Sequence, residues 1–157
     1  MIEMRVKGLA VDANSKIPVV ILTDPEEKRY LPIWIGIYEA DAILIALEKI
    51  NVPRPMTHDL LKSILETLGV RIERILIHNI QNNTFYARIT LVRDKEEWEI
   101  DARPSDAIAL GLRAECPIFV SEKVVIEASI TDKSKYEKEK IEFKKFFQDL
   151  KPADFNR

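Results

Sequence analysis

Apolar and polar positions alternate along this chain with two different periods. Residues 6–11, 17–23 and 29–35 are rich in β-branched side chains. Between them lie Asp12-Ala13-Asn14-Ser15 and Asp24-Pro25-Glu26-Glu27, residues that favour turns, so the first third predicts a three-stranded meander. After Gly36 the period lengthens. Residues 38–49 are strong helix formers with acids at Glu39 and Asp41, and Ile43, Leu44, Ile45 and Leu47 spread around the helix, which predicts burial on more than one side.

Residues 51–56 contain Pro53 and Pro55 and predict a loop. Thr57 is the expected N-cap of a second helix, with Leu60, Leu61, Ile64, Leu65 and Leu68 in one stripe and Gly69 as its stop. Residues 70–80 and 84–92 then predict two strands joined at Gln81-Asn82-Asn83, with Phe85, Ala87, Ile89 and Leu91 on one face. In residues 97–102, Trp98, Ile100 and Ala102 alternate with acids, giving a third strand of this set. A helix follows over residues 104–113.

That helix carries Asp106-Ala107-Ile108, which can be laid over Asp41-Ala42-Ile43 of the first helix. Each triplet follows three strands, so the order reads as two β-β-β-α units with an extra helix between them. Duplication accounts for this, and so would a chance match of two short apolar helices. Residues 116–121 predict a short strand, whereas residues 122–129 fit strand or helix. Residues 132–150 predict a charged helix with Tyr136, Phe143, Phe147 and Leu150 on one side, packed on the domain or on a neighbouring subunit. The expectation is an α+β protein with a mixed or antiparallel sheet core, a domain over residues 1–130 and a C-terminal helical segment over residues 131–157.

Composition narrows the class. A chain of 157 residues with 46% hydrophobic and 32% charged residues can bury roughly 70% of its unfolded surface without disulfides. The net charge of −2 opposes a broad electropositive face, so any nucleic-acid site must be local. No apolar run is long enough to span a bilayer and no signal-peptide pattern opens the chain, which predicts a cytoplasmic protein. The single cysteine, Cys116, reads as a small apolar thiol. Abundant Lys and Glu would suit a thermophile.

Three ordered stretches carry a resemblance. They are Leu31-Pro32-Ile33-Trp34-Ile35-Gly36 with Glu39 to Ile43 after it, Arg54-Pro55-Met56-Thr57-His58-Asp59-Leu60-Leu61, and Asp101 to Leu110. Together they resemble the bifunctional nuclease family over about residues 1 to 130. The resemblance implies an α+β fold, frequent homo-oligomers, and nuclease activity on RNA and DNA of the kind proposed for plant members. Some members carry a further C-terminal module, which the charged tail here does not match.

Phosphodiester hydrolysis needs an activated water, charge stabilisation on the phosphate and help for the leaving oxygen. Carboxylates holding Mg²⁺ or Mn²⁺ can supply these, with an Arg as clamp. The candidates are Glu39, Asp41, Asp101 and Asp106 as bases or ligands, with Asp41, Asp101 and Asp106 as the metal set. Arg103 and Ser105 are the expected phosphate contacts. These residues lie where strands hand over to helices, at N-termini suited to anions, although acids there also serve as caps. Asp101 and Arg103 can form a phosphate-and-metal pair or a local ion pair. His58 with Asp59 could be a general base and its neighbour, but adjacent residues on a helix diverge by about 100°, so His58 reads as an exposed first-turn residue. His78 reads as a satisfied strand residue, and Trp34 and Trp98 as core or interface anchors, although an exposed Trp could stack on a base. The competing expectation is a non-enzymatic oligomeric binding or regulatory module. In that reading the first and third helices, Trp34 and the tail make the contacts.

Overall fold

The computed structural model describes residues 1–131. The helix expected over residues 132–150 lies outside the described residues. The first meander comprises β1 (Ile2–Val11), β2 (Pro18–Thr23) and β3 (Tyr30–Trp34), paired antiparallel. Every residue of β2 is buried, as expected of the continuous run Val19-Val20-Ile21-Leu22, because both faces of a strand must be covered before alternation disappears. Helix α1 (Ile37–Leu47) follows and packs on β2. Ala40, Asp41, Ala42, Ile43 and Ile45 are all buried, in line with the predicted burial on several sides.

Helix α2 (Thr57–Thr67) departs from one expectation. Thr57 is its first residue and not its cap. The N-cap position belongs to Met56, whose backbone N–H donates to the Asp59 carboxylate at 3.0 Å. No α2 residue is fully buried: Leu65 of the stripe packs against the core, whereas Leu60, Leu61, Ile64 and Leu68 are exposed. Gly69 ends the helix as expected, with φ +71°, a conformation costly for other residues.

The second meander is β4 (Arg71–Gln81), β5 (Thr84–Arg93) and β6 (Glu96–Ala102). Its first hairpin turns on Asn82 and Asn83, both at positive φ, as a two-residue type I′ turn requires. Ala87 and Ile89 of β5 are buried, and Phe85 and Leu91 pack against the core on the same side. Helix α3 (Pro104–Ala114) opens with Pro at its first position, where the missing N–H is harmless, and packs against α1 and α2.

Strand β7 (Ile118–Val120) joins the meanders, parallel to β4 and antiparallel to β1. Among the described residues, one seven-stranded mixed sheet results, ordered β3-β2-β1-β7-β4-β5-β6. The ambiguous segment after it is a helix, α4 (Glu122–Ala128), because the Ser121 hydroxyl accepts the Val124 N–H and starts it. Ile130 then exchanges backbone hydrogen bonds with Tyr30 of 2.7 and 2.8 Å, covering part of the β3 edge. Trp34, expected as a core or interface anchor, is 47% exposed at the end of an otherwise buried strand.

Candidate active site

The two β-to-α crossings that share the Asp-Ala-Ile triplet come together in space, and the start of α2 joins them. A cleft of about 370 Å³ is lined by Tyr38, Glu39, Asp41 and Ala42 of α1, by Met56, Thr57 and His58 at the start of α2, and by Arg103 and Asp106 at the start of α3. Three helix N-termini therefore border one space. Each carries roughly half a positive charge in its unsatisfied N–H groups, which offsets part of the charge on the three carboxylates of the cleft, Glu39, Asp41 and Asp106.

A continuous chain of side chains crosses the cleft. Arg103 Nε donates to Asp106 Oδ2 at 2.9 Å, and its Nη1 donates to Glu39 Oε1 at 3.2 Å. On the other side, His58 Nε2 lies 3.1 Å from Asp106 Oδ1. Burial alone would raise the Asp106 pKa, but the hydrogen bonds from Arg103 and His58 outweigh it and hold the carboxyl below its ordinary value. The Asp106 hydrogen bond, with a smaller contribution from Glu39, pushes the Arg103 pKa up, so this cation is permanent.

His58 is the residue that the sequence reading set aside. It was expected to be exposed, yet only 13% of its side chain is accessible, and its partner is 48 residues away. The 100° between neighbours on a helix explains the geometry: His58 turns to Asp106 while Asp59 turns to Arg113, whose Nε donates to it at 2.7 Å. Burial opposes ionisation of Asp59, but the Met56 N–H and the Arg113 guanidinium hold its pKa below the usual range. Asp59 thereby fixes the first turn of α2 and the histidine on it. A local pattern could not reveal the His58–Asp106 pair, because only the packing of α2 on α3 creates it.

Of the other expected site residues, Glu39, Asp41, Arg103 and Asp106 share the cleft. Asp41 is buried within α1. Ser105 is also buried and lines a neighbouring hollow on the far side of Arg103. Asp101 stands apart, in register with Arg88 on β6 and β5, and its charge acts on His78. Arg103 reaches Asp106 and Glu39, so its expected pairing with Asp101 gives way to the helix starts. His78 has its pKa lowered by burial and then by Arg88. The Cys116 thiol is pushed up by burial, which suits an unreactive side chain.

Among the described residues, no three His, Cys, Asp or Glu side chains stand where they could hold one metal ion. Glu39 and Asp106 give oxygens to Arg103 instead. The donor set as placed does not fit a Mg²⁺ or Mn²⁺ centre. No helix among the described residues is long and apolar enough to cross a membrane.

Fold and cleft together define an α+β protein with a polar cleft built from three helix starts and crossed by a Glu-Arg-Asp-His chain of contacts. Residues 20–133 match the bifunctional nuclease domain, and the chain belongs to that family. An uncharacterised protein of Mycobacterium tuberculosis is 38% identical over 98% of this chain and 97% of its own length. Bifunctional nuclease 1 of Oryza sativa subsp. indica is 27% identical over 68% of this chain but only 33% of the rice protein. Bifunctional nuclease 2 of Arabidopsis thaliana is 26% identical over 58% of this chain and 29% of its own length.

Proposed function

We propose that this chain is a nuclease that hydrolyses phosphodiester bonds of RNA or DNA in the cleft between the three helix starts. The observation that carries the reading is the unbroken Glu39–Arg103–Asp106–His58 chain across that cleft. Arg103 and the helix N–H groups hold the phosphate and offset charge as it builds on the phosphoryl oxygens. Asp106 fixes the His58 tautomer by accepting from Nε2–H, which leaves Nδ1 to take a proton from the attacking water. The water oxygen bonds to phosphorus, the ester P–O bond breaks, and the proton held on Nδ1 passes to the leaving oxygen. Glu39 holds the other side of the guanidinium.

The names of the plant relatives support this reading, as does membership of the family. Purified protein incubated with single-stranded RNA and DNA, with and without a chelator, tests it. Cleavage that persists with chelator and is lost in His58→Ala is expected. Substrates left uncut by folded protein in both conditions contradict it, and cleavage abolished by chelator contradicts the metal-free step.

One observation favours a second reading, self-association. Most apolar residues of α1 and α3, helices that pack on each other, are buried within the chain, although Ile37 and Tyr38 at the start of α1 are exposed. The stripe Leu60, Leu61, Ile64 and Leu68 on α2 is exposed instead. A strictly monomeric mass by light scattering contradicts this reading. A dimer dissociated by Leu61→Glu supports it.

A further inference from the structure

Beside the cleft runs a trough whose geometry suits a different part of the same polymer. One hollow of about 440 Å³ is lined by Trp34, Gly36, Asn83, Phe85, Arg103 and Ser105, among others. A second, of about 480 Å³, also includes Trp34, Asn83 and Phe85, and adds Pro32, Ile80 and Ile130 to its walls. The shared residues make the two hollows one trough. Both volumes fall within the roughly 300–1,000 Å³ typical of small-molecule sites. Arg103 lines both the trough and the cleft that holds His58 and Asp106.

Trp34 gives the trough its character. The four preceding residues of β3 are buried, whereas the indole is 47% exposed. Its Nε1–H donates to Asp12 Oδ2 at 2.8 Å, so the ring's polar edge is satisfied and its position is tied to the β1–β2 turn. An aromatic ring held still and wet is suited to stacking, since little freedom remains to be lost when a flat partner arrives. Phe85 adds a second aromatic wall, and Asn83 a polar edge.

We propose that this trough is a nucleobase subsite: a base adjoining the phosphate at Arg103 packs against Trp34 and Phe85, which makes the protein selective for single-stranded nucleic acid. The occupant follows from continuity, because the guanidinium that would hold the phosphate also forms a wall of the trough. Selectivity follows because a base in a duplex must unpair and leave its stack to enter. The inference rests on the nuclease reading for the phosphate at Arg103, but it is tested by binding, without turnover.

The experiment is anisotropy of a fluorescein-labelled eight-nucleotide oligo(dT), an abasic strand of the same length and an eight-base-pair duplex, with the full chain under non-cleaving low-temperature conditions. Wild type is expected to prefer oligo(dT) over both other probes. Trp34→Ala should weaken oligo(dT) binding by roughly 5- to 150-fold, the range of one lost stacking contact, and leave abasic binding unchanged. Trp34→Phe should retain most of the affinity, which separates stacking from misfolding. Equal affinity for abasic and base-bearing strands, an unaffected Trp34→Ala, or no binding of any probe overturns the subsite. A change of mass in Trp34→Ala by light scattering, with oligo(dT) binding unaffected, also overturns it and assigns the trough to a second copy of the chain. Base-dependent binding without cleavage leaves the subsite standing and removes the nuclease reading. Cleavage that is indifferent to Trp34 does the reverse.

Discussion

The two meanders have the same element order and opposite surroundings. In the first, all six residues of β2 are buried, and α1, packed on that strand, carries a buried Asp41. In the second, β6 is an edge strand with no fully buried residue, and Glu97, Glu99 and Asp101 line it with charge. Charge along an edge discourages pairing with another chain. The difference separates two duties: the first half supplies a dry platform, and the second presents its strand end and helix start, with Arg103 and Asp106, at an accessible cleft. The site belongs to neither half alone, because Glu39 comes from one, Asp106 from the other, and His58 from the helix between them.

Substitutions on the two meanders should expose this asymmetry most strongly. Ile21→Ala, in the fully buried β2, is expected to cost about 2–5 kcal/mol in urea unfolding, whereas Ile100→Ala on β6, where the side chain is 43% exposed, should stay within about 0.5 kcal/mol. Equal costs would break the comparison.

The next test concerns how the platform aims the site. A methyl group on Gly36, the N-cap of α1, would collide with the Glu39 carboxylate, a flexible side-chain end that can move aside. Gly36→Ala should therefore leave the fold intact but release Glu39 from Arg103, slowing cleavage by up to about 10²-fold, as small misplacements can. Unchanged kinetics would show that Glu39 does not hold the guanidinium in place. Asp59→Ala removes the tie to Met56 and Arg113 and is expected to cost about 1–3 kcal/mol while also lowering activity through His58. A loss of stability with full activity would show that His58 is positioned without it.

The smallest effect is on the pH dependence of stability. Asp59 and Asp106 are held below their ordinary values, so each binds its proton less readily folded than unfolded. Their contribution is fully present above the unfolded value of about 3.9 and is lost as pH falls through the lower folded values. Asp106 is partly exposed, which screens its share. Urea midpoints measured from about pH 5 downward should decline less steeply in Asp106→Asn than in the wild type, and parallel curves would contradict this assignment.

Much of this framework is legible in the sequence where one local signal suffices. The continuous Val19–Leu22 run marks a strand covered on both faces, and Asn82-Asn83 marks a turn needing two positive φ values. Features that depend on distant partners are not legible. The three residues of β7 gain their place between β1 and β4 only from pairing, and seven residues of α4 are too few for period to separate helix from strand. The α2 stripe is legible as amphipathic, but the same pattern serves a core face and an exposed one. Candidate acids at the helix starts could be named from the sequence. The pairing of His58 with Asp106 could not, because it is a contact across 48 residues.

A double-mutant cycle on single-turnover cleavage, using His58→Ala, Asp106→Asn and the pair, tests most directly whether the joined helix starts act as one unit. His58→Ala alone should slow cleavage by about 10²–10⁴-fold. The double variant should be no slower than the worse single variant, because a base and the group that orients it fail together. Losses that multiply, or a His58→Ala protein that cleaves at the wild-type rate, would contradict the account.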